Sequence, residues 1–201
     1  MIFSIETLPE HMSSSMKAKN IWTSECPVPI TKLRLLNILH YDFDNNLLPG
    51  QLIAHEKLST QVISIFEKLL KIQFPIEKIR LIDNYDGQDE LSMSDNNSSC
   101  FNYRSIADSK IISMHSYGAA IDINPVQNPC IKDNLVENEL KIWPDKGKLY
   151  LNRTNQRAGM VEPIVSLFAK YGFTIWGGNW NAPVDYHHFQ IDRANLPEFL
   201  L

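Results

Sequence analysis

Two short stretches of the chain gather the residue types that hold metal ions and move protons: SMHSYGAAIDINP at 113–125 and GGNWNAPVDYHHFQID at 177–192. In the first, Ala119, Ile121 and Ile123 alternate with Gly118, Ala120, Asp122 and Asn124. On a strand this period of two sends the apolar set into the core and Asp122 to the other face, beside the small Ala120. His115 stands just before Gly118, where a chain can bend. Without that bend His115 and Asp122 would face opposite ways. In DYHHFQI the same alternation separates two adjacent histidines. His187 goes with Phe189 and Ile191 on the core face, packed there or standing behind a ligand, whereas His188 goes with Tyr186 and Gln190. His188 is the better ligand candidate. Asp185, just after Pro183, falls in the turn leading into this strand.

Two histidines and one carboxylate suit zinc, with a fourth position left for water. The set is too nitrogen-rich for calcium or magnesium, which prefer oxygen. Asp185 would then serve as general base. Taken singly, each residue also fits a plain structural role, since a histidine in a strand is commonly a satisfied core residue. The pairing of His115 with Asp122, followed by Asp185 and His188, is what favours a site.

These residues need elements to carry them. LRLLNILHYDF and LLPGQLIAH read as two strands around a turn at Asn45 and Asn46. Leu58, Val62, Phe66, Leu69 and Leu70 recur at helical spacing between His55 and Gln73, and Pro75 stops that helix. The stretch 76–83 alternates loosely, like a half-buried strand. DGQDELSMSDNNSSC reads as a long loop, with FNYRS a short strand emerging from it. Residues 159–172 form a helix with Pro163 in its first turn and Gly172 at its C-terminus, and FTIW begins a strand. Hairpin signals with few βαβ alternations favour an α+β fold. The organisation expected is an N-terminal extension over 1–20, polar and forming a mobile arm or a strap, followed by one domain over 21–201.

Composition narrows the partners. The 201 residues carry 19 Lys+Arg against 23 Asp+Glu, a net charge of −4, which makes nucleic acid a poor partner. No apolar run approaches the ~18 residues of a membrane span. The N-terminus has no basic start and meets Glu6 too early for a secretory leader, so no export signal is visible. Cys26, Cys100 and Cys130 match no CxxC site and make no disulfide framework; three free thiols are the plainer expectation. His11, His40 and His55 have no metal-like spacing.

The pattern S-x-H-x-x-G-x-A-x-D (Ser113, His115, Gly118, Ala120, Asp122), followed far downstream by D-x-x-H-F (Asp185, His188, Phe189), resembles the zinc D-alanyl-D-alanine carboxypeptidase family. That family includes vancomycin-resistance carboxypeptidases and dipeptidases and phage L-alanyl-D-glutamate endolysins. FPIEKIRLID, SMSDNNSS, FNYR and INPVQNP are similar to its carboxypeptidase-like branch. The resemblance runs from about Cys26 to Asp192.

It implies an α+β, hedgehog/DD-peptidase-like fold with a small antiparallel sheet flanked by helices. It also implies one zinc ion per chain, on the residues matching His115, Asp122 and His188, with Asp185 as base. Some members carry Glu at the base position, and the Asp form is similar to the endolysin branch. Arg104 matches the family's arginine, which would hold a substrate carbonyl or carboxylate; its plain alternative is a surface ion pair. Ser113 is a substrate contact or a backbone cap, and Trp176 and Trp180 are a cleft wall or aromatic core. The implied activity is hydrolysis of peptidoglycan stem peptides by a monomer, most simply as a D,D-carboxypeptidase acting in the periplasm or cell wall. L-Ala-D-Glu endopeptidase, D-Ala-D-Ala dipeptidase, a non-catalytic zinc-binding module and an interaction protein without metal are the alternatives.

Overall fold

Alternation of buried and half-buried residues along β2 (Leu33–Tyr41) matches its antiparallel pairing with β3 (Leu47–His55), in register from Leu33↔His55 to Tyr41↔Leu47. Asp42 closes the turn by accepting the N–H groups of Asp44 and Asn46, and Asn45 takes a φ of 60° that asparagine tolerates. β1 (Ser4–Thr7) pairs antiparallel with the outer edge of β2. The computed structural model describes residues 3–106, 109–134 and 139–197.

This sheet is covered on both faces. On one, α2 (Ser59–Lys71) packs Val62, Ile65, Phe66 and Leu69 against Leu36, Ile38, Leu52 and Ala54, all essentially buried. Each of these side chains except Ala54 contributes about 1.5–3 kcal/mol by leaving water. On the other, α1 (Glu10–Ala18) lays Met16 against Leu33, Leu35, Ile53 and Phe101. Within the stretch expected to be a mobile arm or a strap, Ser4–Thr7 and Glu10–Ala18 are thus a strand and a helix packed on this sheet.

Polar segments hide more structure than their composition suggests. Residues 76–83 are not a strand: Ile76, Ile79 and Ile82 are buried three apart, a spacing that strand alternation cannot supply. Only β4 (Lys78–Ile79) pairs there, parallel to β5 (Asn97–Ser98), and Ile82–Tyr85 turns as a 3₁₀ helix. Within the expected loop lies α3 (Asp89–Ser94), with Asp89 and Glu90 in its first turn, where acids favour the helix dipole. It buries only Ser92, so no apolar stripe announces it.

β6 (Ala120–Asp122), β9 (Ile175–Trp176) and β11 (His188–Gln190) form a second antiparallel sheet in the order β6-β11-β9. β7 (Cys130–Asn134), β8 (Glu139–Trp143) and β10 (Val184–Asp185) form a third, in the order β10-β7-β8, which the sequence reading did not foresee. The helix expected over 159–172 is a 3₁₀ turn at Glu162–Ile164, containing Pro163, continued by α4 (Val165–Lys170). Gly172 follows at φ 93°. The architecture is α+β, with small antiparallel sheets and short helices. Phe101 N–H donates to Ile53 O, and Ser99 exchanges backbone bonds with Asp122, so residues 99–101 bridge the first sheet to the second. All three cysteines are free thiols.

Candidate metal centre

His115 is carried by a 3₁₀ turn, Met114–Tyr117, that Ser113 caps by accepting the His115 N–H on its hydroxyl. The turn ends at Gly118, φ 61°, whose carbonyl accepts the His55 N–H. A Cβ at Gly118 would stand 2.6 Å from His55 N, so the bend that brings His115 back over Asp122 requires glycine. From there the chain enters β6. Register pairs Asp122 directly with His188 of β11, and the three side chains meet at this point.

The ligand atoms of His115, Asp122 and His188 lie within 4.8 Å of one another. His115 Nε2 is 3.1 Å from one Asp122 oxygen, His188 Nδ1 is 3.0 Å from the other, and the two ring nitrogens are 3.2 Å apart. Tetrahedral zinc with ~2.0–2.1 Å bonds has ligand edges of about 3.3 Å, so these spacings fit the ion. The far sides of both rings are fixed. His115 Nδ1–H donates to Cys100 O, and His188 Nε2–H donates to Gln190 Oε1 at 2.9 Å. Each bond sets the tautomer that leaves the other nitrogen's lone pair for a metal. The nitrogen-rich donor set points to zinc rather than a hard cation.

The electrostatics are those of a cation site. Burial would raise the Asp122 carboxyl, but the charges of His115 and His187, with hydrogen bonds from His115 and His188, hold it well below its ordinary value. Burial would likewise lower His188, yet its hydrogen bond to Asp122 and that residue's charge push it up. His187 is also driven against its burial, by Asp185 and Asp122, up to about 10. Two buried or half-buried carboxylates make a field that attracts positive charge.

The other expected residues are arranged around this centre. Asp185 lies on β10, where it pairs with Cys130 in register, and its Oδ1 is 3.0 Å from His187 Nε2. A Cβ at Gly177 would meet the Asp185 carbonyl at 2.5 Å, so that glycine lets the Trp176–Trp180 turn press on β10. The Trp180 ring is 5.3 Å from that of His188. Trp176 instead stacks on Phe189 and donates its indole N–H to Tyr186 O, packing behind β11. Arg104 pairs through Nη2 with Asp89 of α3 at 2.8 Å, while its Nε is buried with no partner among the described residues.

Sequence reasoning did not assign roles to Gln190, the Cys100 carbonyl or Asn128, whose carbonyl accepts from His187 Nδ1–H at 2.8 Å. Gln190 was within reach, because it shares the face of His188 two residues on.

An α+β chain with a buried His–Asp–His triad of zinc-like dimensions and a carboxylate nearby has the site of a metallopeptidase-like enzyme. Residues 107–191 match the family described as D-alanyl-D-alanine carboxypeptidase. That segment contains His115, Asp122, Asp185 and His188; Arg104 precedes it. No curated protein and no solved structure matches the chain.

Proposed function

We propose that the protein is a zinc-dependent peptidase that hydrolyses peptidoglycan stem peptides, most simply removing a terminal D-alanine as a D,D-carboxypeptidase. The observation that carries this reading is the triad of His115, Asp122 and His188, with spacings of 3.0–3.2 Å, inside a segment that matches that family. A hedgehog/DD-peptidase-like fold, with 1–20 an extension of a domain over 21–201, accords with the same reading. So does a single zinc ion held by a monomer. The expected place of action is where such stems are found, the periplasm or cell wall.

His115, Asp122 and His188 would hold the zinc. When bound, the ion acts as a Lewis acid and brings the pKa of water toward ~7. The residues of the chain supply the rest. Asp185 accepts the proton of the attacking water and later returns it to the departing amine. Arg104 exchanges its contact with Asp89 for the substrate's carbonyl or carboxylate, a bidentate partner that a guanidinium suits. Trp180 walls the cleft beside His188. Ser113 acts on substrate indirectly, by capping the turn that aims His115, and Trp176 does so by backing β11.

The test is mass spectrometry of muropeptides and synthetic pentapeptide stems after incubation with zinc-loaded protein, with Asp185→Ala alongside. Loss of a terminal D-Ala by the wild type is expected, with turnover reduced by about 10²–10⁴ in the variant while zinc stays bound. Cleavage after L-Ala would assign the L-Ala-D-Glu bond, and release of alanine from D-Ala-D-Ala alone would assign the dipeptidase activity. No cleavage of any stem by protein that binds zinc stoichiometrically would make it a non-catalytic zinc module. Unchanged turnover in Asp185→Ala would remove Asp185 from the base role.

A further inference from the structure

Arg104 stands beside the metal centre through its backbone. Its N–H donates to Ser116 Oγ at 3.0 Å, its carbonyl accepts the Ser113 N–H at 3.0 Å, and Asn102 N–H donates to His115 O at 3.3 Å. The stretch 102–104 therefore runs along the turn that carries His115. The Arg104 side chain reaches α3, where Nη2 meets Asp89 Oδ2 at 2.8 Å.

That contact uses half of one guanidinium edge. Nε and Nη2 present their N–H groups side by side, a fork that matches the two oxygens of a carboxylate. Asp89 takes Nη2, and Nε is buried with no partner among the described residues. A buried donor without an acceptor costs free energy in the folded state. A free carboxylate laid along the edge would fill both positions, but it needs the place at Nη2 that Asp89 holds.

Asp89 itself is loosely held. Its Oδ1 has Asn102 Nδ2 at a long 3.4 Å. α3 has six residues and buries only Ser92, so little packing fixes its first turn. The side chains of Arg104 and Asp89 are 30% and 26% exposed, and ion pairs so open to water contribute little stability. The pair opens easily.

We propose that Asp89 is a resident competitor for the substrate's terminal carboxylate: it occupies Arg104 in the free protein, and a stem peptide ending in a free carboxylate binds by displacing it. α3 is then the element that yields as substrate enters. This inference rests on the peptidase reading for the identity of the ligand, and it deepens that reading by giving Arg104 a terminal carboxylate rather than an internal carbonyl.

The test titrates zinc-loaded protein with N-acetyl-D-alanine, which carries the free carboxylate, and with its amide, which lacks it. Asp89→Asn is expected to lower the dissociation constant of the acid by about 3–5-fold, the worth of an open ion pair, and to leave that of the amide unchanged. Asp89→Ala, which takes the acceptor away altogether, should gain at least as much. In an Arg104→Gln background the gain is expected to vanish, a control that separates Arg104 from any carboxylate held at the zinc. On pentapeptide stems with a free terminus, Asp89→Asn should lower KM by the same factor with kcat nearly unchanged. A purely structural ion pair predicts the opposite sign, because Arg104 would be left loose and bind the acid less well. Weaker or unchanged binding of the acid in both Asp89 variants overturns the proposal, as does a gain shared by the amide or kept without Arg104. An acid that binds neither the wild type nor the variants overturns it too, for Asp89 then has nothing to exclude. If the wild type cleaves no stem, the peptidase reading fails on that result, and the titration still decides whether Asp89 competes for Arg104.

Discussion

His188 and Gln190 share one face of β11, and the histidine's Nε2 lies 2.9 Å from the glutamine's Oε1. The glutamine orients the ring whose Nδ1 stands 3.0 Å from Asp122. Removing such a partner of a metal-binding histidine typically weakens metal affinity ~10–100-fold. Gln190→Leu is therefore expected to raise the zinc dissociation constant by about that factor, read by competition with a chromophoric chelator. Gln190→Glu, which keeps an acceptor for Nε2–H, should retain most of the affinity. Equal affinities in wild type and Gln190→Leu would show that the ring is oriented by packing alone.

Gly118 presents the same logic in the backbone. Its φ of 61° disfavours any side chain, and a Cβ there would stand 2.6 Å from His55 N and 3.0 Å from the Ala54 carbonyl carbon, both in backbone that cannot swing away. Gly118→Ala is expected to destabilise the fold by at least ~1–3 kcal/mol and to weaken zinc binding as the His115 turn shifts. Urea midpoints with and without zinc measure both. A variant with wild-type stability would mean that β3 and the turn separate at little cost.

The core of the site was legible because it obeys strand alternation. Asp122 and His188 fell on the polar faces of their strands, and Gly118 stood where His115 needed a bend. What escaped has physical reasons. The carbonyl of Cys100 bonds His115 across a non-local contact between residues 99–102 and the His115 turn, which no local period encodes. α3 was hidden by its brevity and by burying only Ser92. The segment 76–83 looked like a strand because apolar and polar residues alternate loosely along it, but its buried residues, Ile76, Ile79 and Ile82, fall three apart, a spacing that belongs to a chain that turns as it packs. Arg104 showed its charge but not its partner. The ion pair with Asp89 could not be foreseen while 86–100 read as a loop.

Arg153 ties Glu162 to the segment at Gln127 and Asn128. It donates to both oxygens of Glu162 at 2.6 and 2.8 Å, to Gln127 O and to Asn128 Oδ1, and it lies over the Tyr186 ring at 4.3 Å. Its side chain is 12% exposed and that of Glu162 is 25%, so removing one partner strands a largely buried charge. Arg153→Met is expected to cost about 3 kcal/mol in denaturant unfolding. The double variant with Glu162→Gln should cost clearly less than the sum of the single changes. Strict additivity would mean that the two side chains do not act as a pair.

Acid should destabilise the protein through His40, far in sequence from the metal centre. The ring, carried by β2, is buried, and that burial lowers its pKa; the bond from Nδ1–H to Ile76 O at 2.8 Å, a backbone contact at Tyr41 and the charge of Asp42 only partly oppose it. With a folded pKa below the ordinary value near 6.5, the unfolded chain takes up a proton first as pH falls. The contribution of His40 is thus complete above about pH 6.5 and is lost progressively below it. The raised histidines of the metal centre act with the opposite sign, and His55, also lowered by burial, acts with the same sign as His40. Comparison with His40→Asn isolates the effect, because the asparagine amide can still donate to Ile76 O but does not titrate. Between pH 7.5 and 5.5 the wild type is expected to lose more stability than His40→Asn, measured as the shift in urea midpoint at each pH. Parallel shifts in the two proteins would show that His40 charges within the folded state as readily as in the unfolded chain.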